Sequence, residues 1–218
     1  ISWRFFYIFK ESIRIHNKTQ SISEPMKTIL SFSITLMLIS FTIQAQTELD
    51  FYDIIDGIST ERIEADITTL ANFGTRHTLS DTLSQTRGIG AARRWIFDSF
   101  LEIASACAGC IEVQYQKNYV KPDGKRIVKP VWINNVLAIQ KGSHYPNRYI
   151  IMSGDIDSRV SDPNNYTDDS PGANDNASGM AGTIEAARVL SKYSFENSII
   201  YTGLAGEEQG LFGGKGLA

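Results

Sequence analysis

The segment from residue 148 to residue 205 constrains the fold most strongly, because two short apolar runs flank one helical pattern. "RYIIM" and "SIIYTGLA" have the length and composition of buried strands. Between them, Met180, Ile184 and Ala187 recur at helical spacing in "ASGMAGTIEAARVLSKY". A strand, a helix and a strand in this order predict a βαβ unit with a right-handed crossover. The chain is therefore predicted to be an α/β protein with a largely parallel sheet.

Two helices and two strands are predicted before this unit. One helix runs from Ser59 to Asn72, with Ser59 or Thr60 as its cap and Gly74 as its stop, and the other lies in "GIGAARRWIFDSFLEIAS". "IEVQYQKNYV" and "RIVKPVWINNVLAI" alternate in polarity like strands on either side of "KPDGK", which predicts a hairpin. The "GIG" is not a dinucleotide-binding motif, because no strand precedes it and the third Gly is absent.

Residues 1–45 are not expected to belong to this domain. From Met26, "MKTILSFSITLMLISFTIQAQ" has one Lys, an apolar run and then Ala45, which predicts a signal peptide over residues 26–45 with cleavage after Ala45. A membrane anchor is the alternative, but the run is short for the about 20 residues that span a bilayer. Residues 1–25 contain no Met and are interpreted as non-native upstream translation. Residues 46–218 are then a secreted or periplasmic domain without stable membrane association.

The charge of this domain gives no support to nucleic-acid binding. The whole chain has 21 basic and 24 acidic residues, of which five and two precede residue 46, so 16 and 22 remain and the net charge is −6. A nucleic-acid-binding domain is expected to carry a clustered basic surface instead.

The two cysteines of the chain, Cys107 and Cys110, form the motif "CAGC". In an exported protein, oxidation is permitted, so a local structural disulfide is expected. Free thiols are the alternative. A single CxxC is weak evidence for zinc, and redox activity would need a following βαβ context that "IEVQYQ" does not provide.

Acidic residues follow both strands of the predicted βαβ unit. Asp155 and Asp157 in "SGDIDSR" follow the first strand, Glu207 and Glu208 follow the second, and the loop between them ends at Asp175. Open α/β sheets place their sites at the carboxyl ends of strands, so these five carboxylates are expected to lie close together. They would repel one another unless a cation lay among them, and oxygen donors suit zinc, manganese, magnesium or calcium.

Each of these acidic residues also has a simpler interpretation. Asp175 could cap the following helix, the Glu207–Glu208 pair could be a solvated turn, and Asp155 and Asp157 could be polar residues at a strand exit. Only the coincidence of acidic residues at two strand ends favours a metal site.

The same residues carry a resemblance to a known family. "PGANDNASGMAGTIEAARVL" followed by "GEEQGLFGG" resembles the M28 family of zinc aminopeptidases, and "GTRHTLSD" and "RGIGAARRWI" resemble the segment before its catalytic core. The resemblance covers residues 59–218. It implies a three-layer α/β/α fold of the zinc exopeptidase type, with a mixed, mostly parallel central sheet that is incomplete at the C-terminus.

The resemblance also implies roles for the acidic residues. In the family two zinc ions share a bridging aspartate, which corresponds to Asp175. The first glutamate of the "EE" pair is the general base and the second is a zinc ligand, which correspond to Glu207 and Glu208. Glu207 would take a proton from the attacking water and pass it to the departing amine. The implied function is that of a secreted zinc-dependent aminopeptidase acting on peptides.

The chain departs from the family pattern at its first metal ligand. The family has a histidine where this chain has Asp155, while Asp157 matches the aspartate that orients that histidine. Asp155 then ligates zinc in place of histidine, or the first site is weakened or takes a harder ion, or one zinc remains. With no histidine to orient, Asp157 could itself become a ligand.

Two further ligands of the family, an aspartate and a histidine, come from the later half of its domain, and the chain ends at Ala218 before both. His77 and His144 are interpreted as structural or surface residues. The chain is therefore expected to be an N-terminal fragment that is inactive alone. Two alternatives stay open: a single-zinc acyltransferase resembling glutaminyl cyclases, and a non-catalytic binding domain whose metal site has degraded.

Overall fold

The structure, a computed structural model, describes residues 51–218. The predicted upstream segment and signal peptide, residues 1–45, lie outside the described residues. No helix within residues 51–218 is both long enough and apolar enough to cross a membrane.

The described residues form five α-helices and four strands, with a short π-helical segment (Ala173–Ala177) directly before the fourth α-helix. In chain order they are α1 (Phe51–Asp56), α2 (Thr60–Ala71), α3 (Gly88–Ala106), β1 (Ile111–Val120), β2 (Val131–Gln140), β3 (Tyr145–Asp155), α4 (Ser178–Leu190), β4 (Asn197–Leu204) and α5 (Phe212–Leu217). Every predicted helix and strand of this part is present. Strand β2 starts later than "RIVKP" suggested, because Asp123 Oδ1 accepts the backbone N–H groups of residues 125–127 and holds them in the hairpin turn.

The four strands form one mixed sheet in the order β1-β2-β4-β3. Strands β3 and β4 are parallel and are joined through α4, which confirms the predicted βαβ unit. Strand β2 pairs antiparallel with both β1 and β4. The mixed sheet is confirmed. Its described part is less parallel than predicted, because the pairings β1–β2 and β2–β4 are antiparallel and only β3–β4 is parallel.

Helices lie on both faces of the sheet. On β1, Tyr115 stacks on Phe97 of α3 with ring centroids 4.4 Å apart, while the next residue, Gln116, donates to the Gly216 carbonyl of α5 over 2.9 Å. Successive strand residues point to opposite faces, so α3 and α5 cover different sides of β1. Helix α4 packs beside β3 and β4, and α2 packs on α4. The main core lies between the α3–α4 layer and the sheet, around Phe100 and Tyr201.

Strand β3 is the edge of the sheet in the described part of the chain. Tyr149, Ile150 and Ile151 are each more than half exposed there. Cys107 and Cys110 form a disulfide that closes the turn between α3 and β1, which confirms the expected pairing.

Candidate functional site

The site is assembled at the carboxyl ends of the two parallel strands. Asp155 is the last residue of β3 and lies opposite Leu204, the last residue of β4, in the strand register. A Cβ atom on Gly154 would lie 2.4 Å from the backbone nitrogen of Met180. Only glycine therefore allows α4 to begin so close to the end of β3. This packing brings Asp155, the start of α4 and the turn after β4 to one edge of the sheet.

Asp157 lies buried beneath the turn after β4 that carries Glu207 and Glu208, which is called here the glutamate turn. Its side chain is buried, and its two carboxylate oxygens accept the backbone N–H groups of Glu207 and Glu208, each over 3.1 Å. Its Oδ2 also accepts the Thr78 hydroxyl over 2.8 Å. Burial raises the pKa of Asp157 to about 6, although these hydrogen bonds favour the ionised form. Asp157 thus positions Glu207 and Glu208 through their backbone.

A second layer of buried polar residues supports Thr78. Its hydroxyl also lies 2.8 Å from Oε1 of Gln209, and Nε2 of Gln209 donates to the Pro163 carbonyl over 3.1 Å. Sequence reasoning missed both Thr78 and Gln209, although each lies inside a quoted motif, "GTRHT" and "GEEQG". Their role depends on a contact between segments 131 residues apart, for which neither motif gives a local signal.

His77 belongs to this buried layer and not to the carboxylate cluster, which is formed by Asp155, Asp175, Glu207 and Glu208. Its Nδ1 accepts the backbone N–H of Leu79 over 3.0 Å, which leaves the ring proton on Nε2 to donate to the Pro163 carbonyl over 3.0 Å. Burial lowers the pKa of His77, so the ring is neutral near pH 7. His144 is exposed and bonds to the neighbouring Ser143. The two histidines thus have the structural and surface positions predicted for them.

Glu208 has an ionic partner. Nε of Arg159 lies 2.5 Å from Glu208 Oε2. The Glu208 carbonyl accepts a hydrogen bond from Arg126 over 2.6 Å, so the β1–β2 loop reaches the glutamate turn. Glu208 is therefore held at both its side chain and its backbone.

Asp155, Asp175 and Glu207 form no ion pair with any residue in the range 51–218. Burial raises the pKa of Asp155, and the negative charges of Asp175 and Glu208 add to this increase. Burial also raises the pKa of Glu207, with further contributions from Asp155, Glu208 and Asp175. The four carboxylates are therefore close enough to repel one another, as the sequence predicted.

Asp175 does not cap helix α4. The cap is its neighbour Asn176, whose Oδ1 accepts the Gly179 N–H over 2.8 Å. The Asn176 amide also donates to Asp155 over 3.2 Å. Asp175 itself is exposed and makes no side-chain hydrogen bond to the described residues. Asn176 thus has the capping role that was the simpler interpretation of Asp175. The Asp175 carboxylate is therefore available to a ligand.

The acidic residues at this edge of the sheet have the donor groups of metal ligands. Carboxylate oxygens suit a divalent cation, and one such ion would offset most of the negative charge of Asp155, Asp175 and Glu207. However, no three His, Cys, Asp or Glu side chains within residues 51–218 converge closely enough to hold a metal ion. The Glu208 carboxylate points to Arg159 instead. The donor chemistry fits a cation, whereas the ligand set is incomplete.

Several solved structures have a fold similar to that of this chain. LapB from Legionella pneumophila matches with a TM-score of 0.57 at 22% identity, over 78% of this chain and 41% of that chain. A leucine aminopeptidase precursor from Bacteroides thetaiotaomicron matches with a TM-score of 0.53 at 18% identity, over 69% and 48%. A glutaminyl cyclase from the same bacterium has a TM-score of 0.52 at 17% identity, over 69% and 47%. At these identities the likeness concerns the fold alone, which is that of the zinc exopeptidases.

Sequence comparison then gives the family. Residues 135–218 match the profile of Peptidase family M28. A "Probable zinc metalloprotease" from Pyrenophora teres f. teres is 51% identical over 164 residues, which are 75% of this chain and 34% of that protein. Residues 135–218 therefore belong to peptidase family M28, as the motifs predicted. The chain spans about a third of the length of this relative.

Proposed function

We propose that the whole protein is a secreted zinc-dependent aminopeptidase that hydrolyses the N-terminal peptide bond of peptides. The observation that carries this proposal is the meeting of Asp155 and Glu207 at adjacent ends of parallel strands, with Asp157 buried beneath the turn. Membership of family M28 supports a zinc peptidase. The fold shared with a leucine aminopeptidase precursor supports an exopeptidase, and the signal-peptide pattern of residues 26–45 supports secretion or a periplasmic location.

Zinc is the proposed cofactor, with Asp155, Asp175 and Glu208 as the residues of this chain that would hold it. The family resemblance implies two ions, and one remains if Asp155 does not replace the histidine. When bound, zinc lowers the pKa of water and polarises the substrate carbonyl.

The residues of the chain then divide the remaining work. Glu207 accepts a proton from the attacking water on its carboxylate and returns it to the departing amine. Asp157 acts as a positioning residue, because from its buried place it holds the backbone of Glu207 and Glu208. Asn176 holds the carboxylate of Asp155 through its amide.

The test is hydrolysis of aminoacyl 4-nitroanilides by the purified whole protein. We expect release of nitroaniline that stops when a chelator removes the metal and returns when zinc is added. N-acetylated versions of the same substrates should not be cleaved, because an aminopeptidase requires a free amino terminus. Cleavage of both forms at equal rates would contradict the exopeptidase proposal, and cleavage of neither would contradict peptidase activity.

Glutaminyl cyclisation is the second candidate, since the fold matches a glutaminyl cyclase almost as well as an aminopeptidase. The replacement of histidine by Asp155 favours a single-zinc enzyme of that kind. A peptide with N-terminal glutamine separates the two functions: a cyclase releases ammonia from it, whereas an aminopeptidase releases free glutamine.

A further inference from the structure

A polar cavity lies beside the carboxylate cluster. Its volume is ≈ 390 Å³, and its walls come from four parts of the chain. Helix α3 contributes Arg93, strand β2 contributes Trp132 and Asn134, and the segment 78–82 contributes hydroxyl groups. Lys129, from the loop before β2, completes the wall, and no acidic side chain lines the cavity. The cavity is therefore a basic space next to an acidic site.

The basic side chains of this cavity have no carboxylate partner within residues 51–218. Arg93 makes no ion pair there, and burial lowers the pKa of its guanidinium. The adjacent Arg94 shows the contrast, because its guanidinium donates to the carbonyl groups of Thr82 and Ser84. The ammonium of Lys129 lies 4.3 Å from the ring centroid of Tyr166. Two cations thus face the cavity without a neutralising anion.

A third cation lies at the border of the cavity. Lys117 of β1 is paired with Asn134 in the strand register. Lys117, Trp132 and Asn134 line an adjoining cavity of ≈ 420 Å³, so two of its walls are shared with the first cavity. Lys117 also has no ion pair among the described residues. The basic character therefore extends along the β1–β2 hairpin.

Asn134 also lines the cavity. Its Oδ1 is buried and has no hydrogen-bond partner in the described structure, so it is not presented to a ligand. The hydroxyl protons of Thr78 and Ser80 are already donated to Asp157 and to the His77 carbonyl. The donors that remain for a ligand are the cations Arg93 and Lys129, which suit a carboxylate.

The cavity is joined to the candidate catalytic turn through Thr78. This residue lines the cavity, and its hydroxyl donates to Asp157, which holds the backbone of Glu207. The β1–β2 loop that carries Lys129 also places Arg126 on the Glu208 carbonyl. A ligand in the cavity would therefore lie beside the catalytic turn.

We propose that this cavity binds a carboxylate group of an acidic peptide substrate, with Arg93 and Lys129 as the principal donors. The assignment of the peptide as a substrate rests on the proposed function, whereas the binding of the carboxylate does not. A charge-assisted pair with a partly buried guanidinium is stronger than a neutral hydrogen bond, so Arg93 is expected to contribute most.

The test is calorimetric binding to the full chain in the presence of a chelator, so that no hydrolysis occurs. Three peptides serve as probes: Ala-Ala-Glu-Ala amide, Ala-Ala-Gln-Ala amide and Ala-Ala-Gln-Ala with a free C-terminus. We expect Arg93→Met to weaken binding of the carboxylate-bearing peptide about tenfold and Lys129→Met to weaken it less. Arg148→Met is the matched control, because it removes the same charge from the far end of β3 and should leave binding unchanged. Arg93→Lys keeps the charge and should restore part of the lost affinity. It takes the place of Arg93→Met in the test if that variant folds poorly.

The three peptides identify the source of the carboxylate. Preference for the glutamate amide assigns the cavity to an acidic side chain, and preference for the free acid assigns it to a C-terminal carboxylate. Equal binding of all three peptides would overturn the proposal, as would an equal effect of Arg93→Met and Arg148→Met. Equal competition by inorganic phosphate would also overturn it, because the cavity would then be an unselective anion site. Carboxylate binding by a protein that cleaves no peptide would contradict the proposed function alone.

Discussion

Two groups of acidic residues in this protein have opposite electrostatic surroundings. In the first group, between α2 and α4, Arg188 lies 2.6 Å from Asp66 and 3.3 Å from Glu185, and Arg62 forms a second ion pair with Glu185. Burial by itself would raise the pKa of Glu185, but the hydrogen bonds from Arg62 and Ser59 outweigh it and the pKa is lowered. These carboxylates are neutralised by the fold.

The second group, at the ends of β3 and β4, has too few cations. Within residues 51–218, these four carboxylates have one ion pair, that of Glu208 with Arg159; the other three are Asp155, Asp175 and Glu207. Burial raises the pKa of Asp155 and of Glu207, and neighbouring carboxylates raise both further. The same residue type is therefore stabilised in one region and left in excess in the other. Such uncompensated charge is typical of a site that binds something positive.

The largest expected effect is on catalysis. Replacement of Glu207 by Gln removes the proposed base while keeping its size, and we expect hydrolysis of aminoacyl substrates by the whole protein to fall about 10²–10⁴-fold. Initial rates with the variant and the wild type measure this change. Glu185→Gln is the matched control, because it makes the same chemical change in the neutralised group. It should lower stability and leave the rate per folded molecule unchanged. Equal rate losses in both variants would remove the distinction between the two groups.

The next effect is on the pH dependence of stability. The pKa of Asp157 is raised from 3.8 to about 6, so the folded protein binds this proton more tightly than the unfolded chain does. The resulting stabilisation is fully present below pH 3.8 and is lost as the pH rises through about 6; for this shift it amounts to about 3 kcal/mol.

The measurement is urea unfolding of the metal-free protein across this pH range, compared with Asp157→Asn. Glu185 and His77 titrate in both proteins. The difference between the stability curves of the wild type and the variant therefore isolates the contribution of Asp157. Parallel curves would show that the pKa of Asp157 is not raised.

A smaller loss is expected from Arg188→Met. This change leaves the buried carboxylates of Asp66 and Glu185 without their shared partner. Breaking a fully buried pair costs about 3–5 kcal/mol, and because Arg188 is partly exposed we expect about 2 kcal/mol. Urea unfolding at neutral pH measures the change. A loss of at most about 1 kcal/mol, as for exposed pairs, would show that the first group is not a structural ion-pair network.

The smallest effect concerns Asn176, which links the second group to a helix. Asn176→Ala removes the cap of α4 and should cost about 1 kcal/mol of unfolding free energy. Asn176→Asp keeps an acceptor for the cap but loses the amide donor to Asp155 and adds a charge. Without metal, we therefore expect Asn176→Asp to have a lower unfolding free energy than the retained cap alone would give. With zinc present, the loss of stability relative to the wild type should be smaller. Equal behaviour of the two variants with and without zinc would contradict the placement of Asn176 beside a cation site.

Local patterns predicted the elements of the fold and the convergence of the acidic residues. The period of the helix after "GANDN" and the two apolar runs fix strand, helix and strand in order, and the carboxyl ends of parallel strands then meet at one edge. The antiparallel pairing of β2 with β4 was not predictable in the same way, because strand periodicity does not identify the partner.

The finer organisation of the site also depends on contacts that are distant in the sequence. Asp175 and Asn176 are both good helix caps by residue type, and only the path of the backbone decides that Asn176 takes this role. Thr78 and Gln209 acquire their roles from Asp157, which neither residue neighbours in the chain. The roles of Asp155, Asp175, Glu207 and Glu208 toward zinc stay predictions.

Strand β3 has a practical consequence for work with the protein in solution. Its outer edge presents N–H and C=O groups that no strand within residues 51–218 pairs, next to the exposed Tyr149, Ile150 and Ile151. An apolar, unprotected edge of this kind is a template for further strands. Preparations of the described region should therefore scatter more light as their concentration rises, and Ile150→Lys should reduce that turbidity without altering the fold.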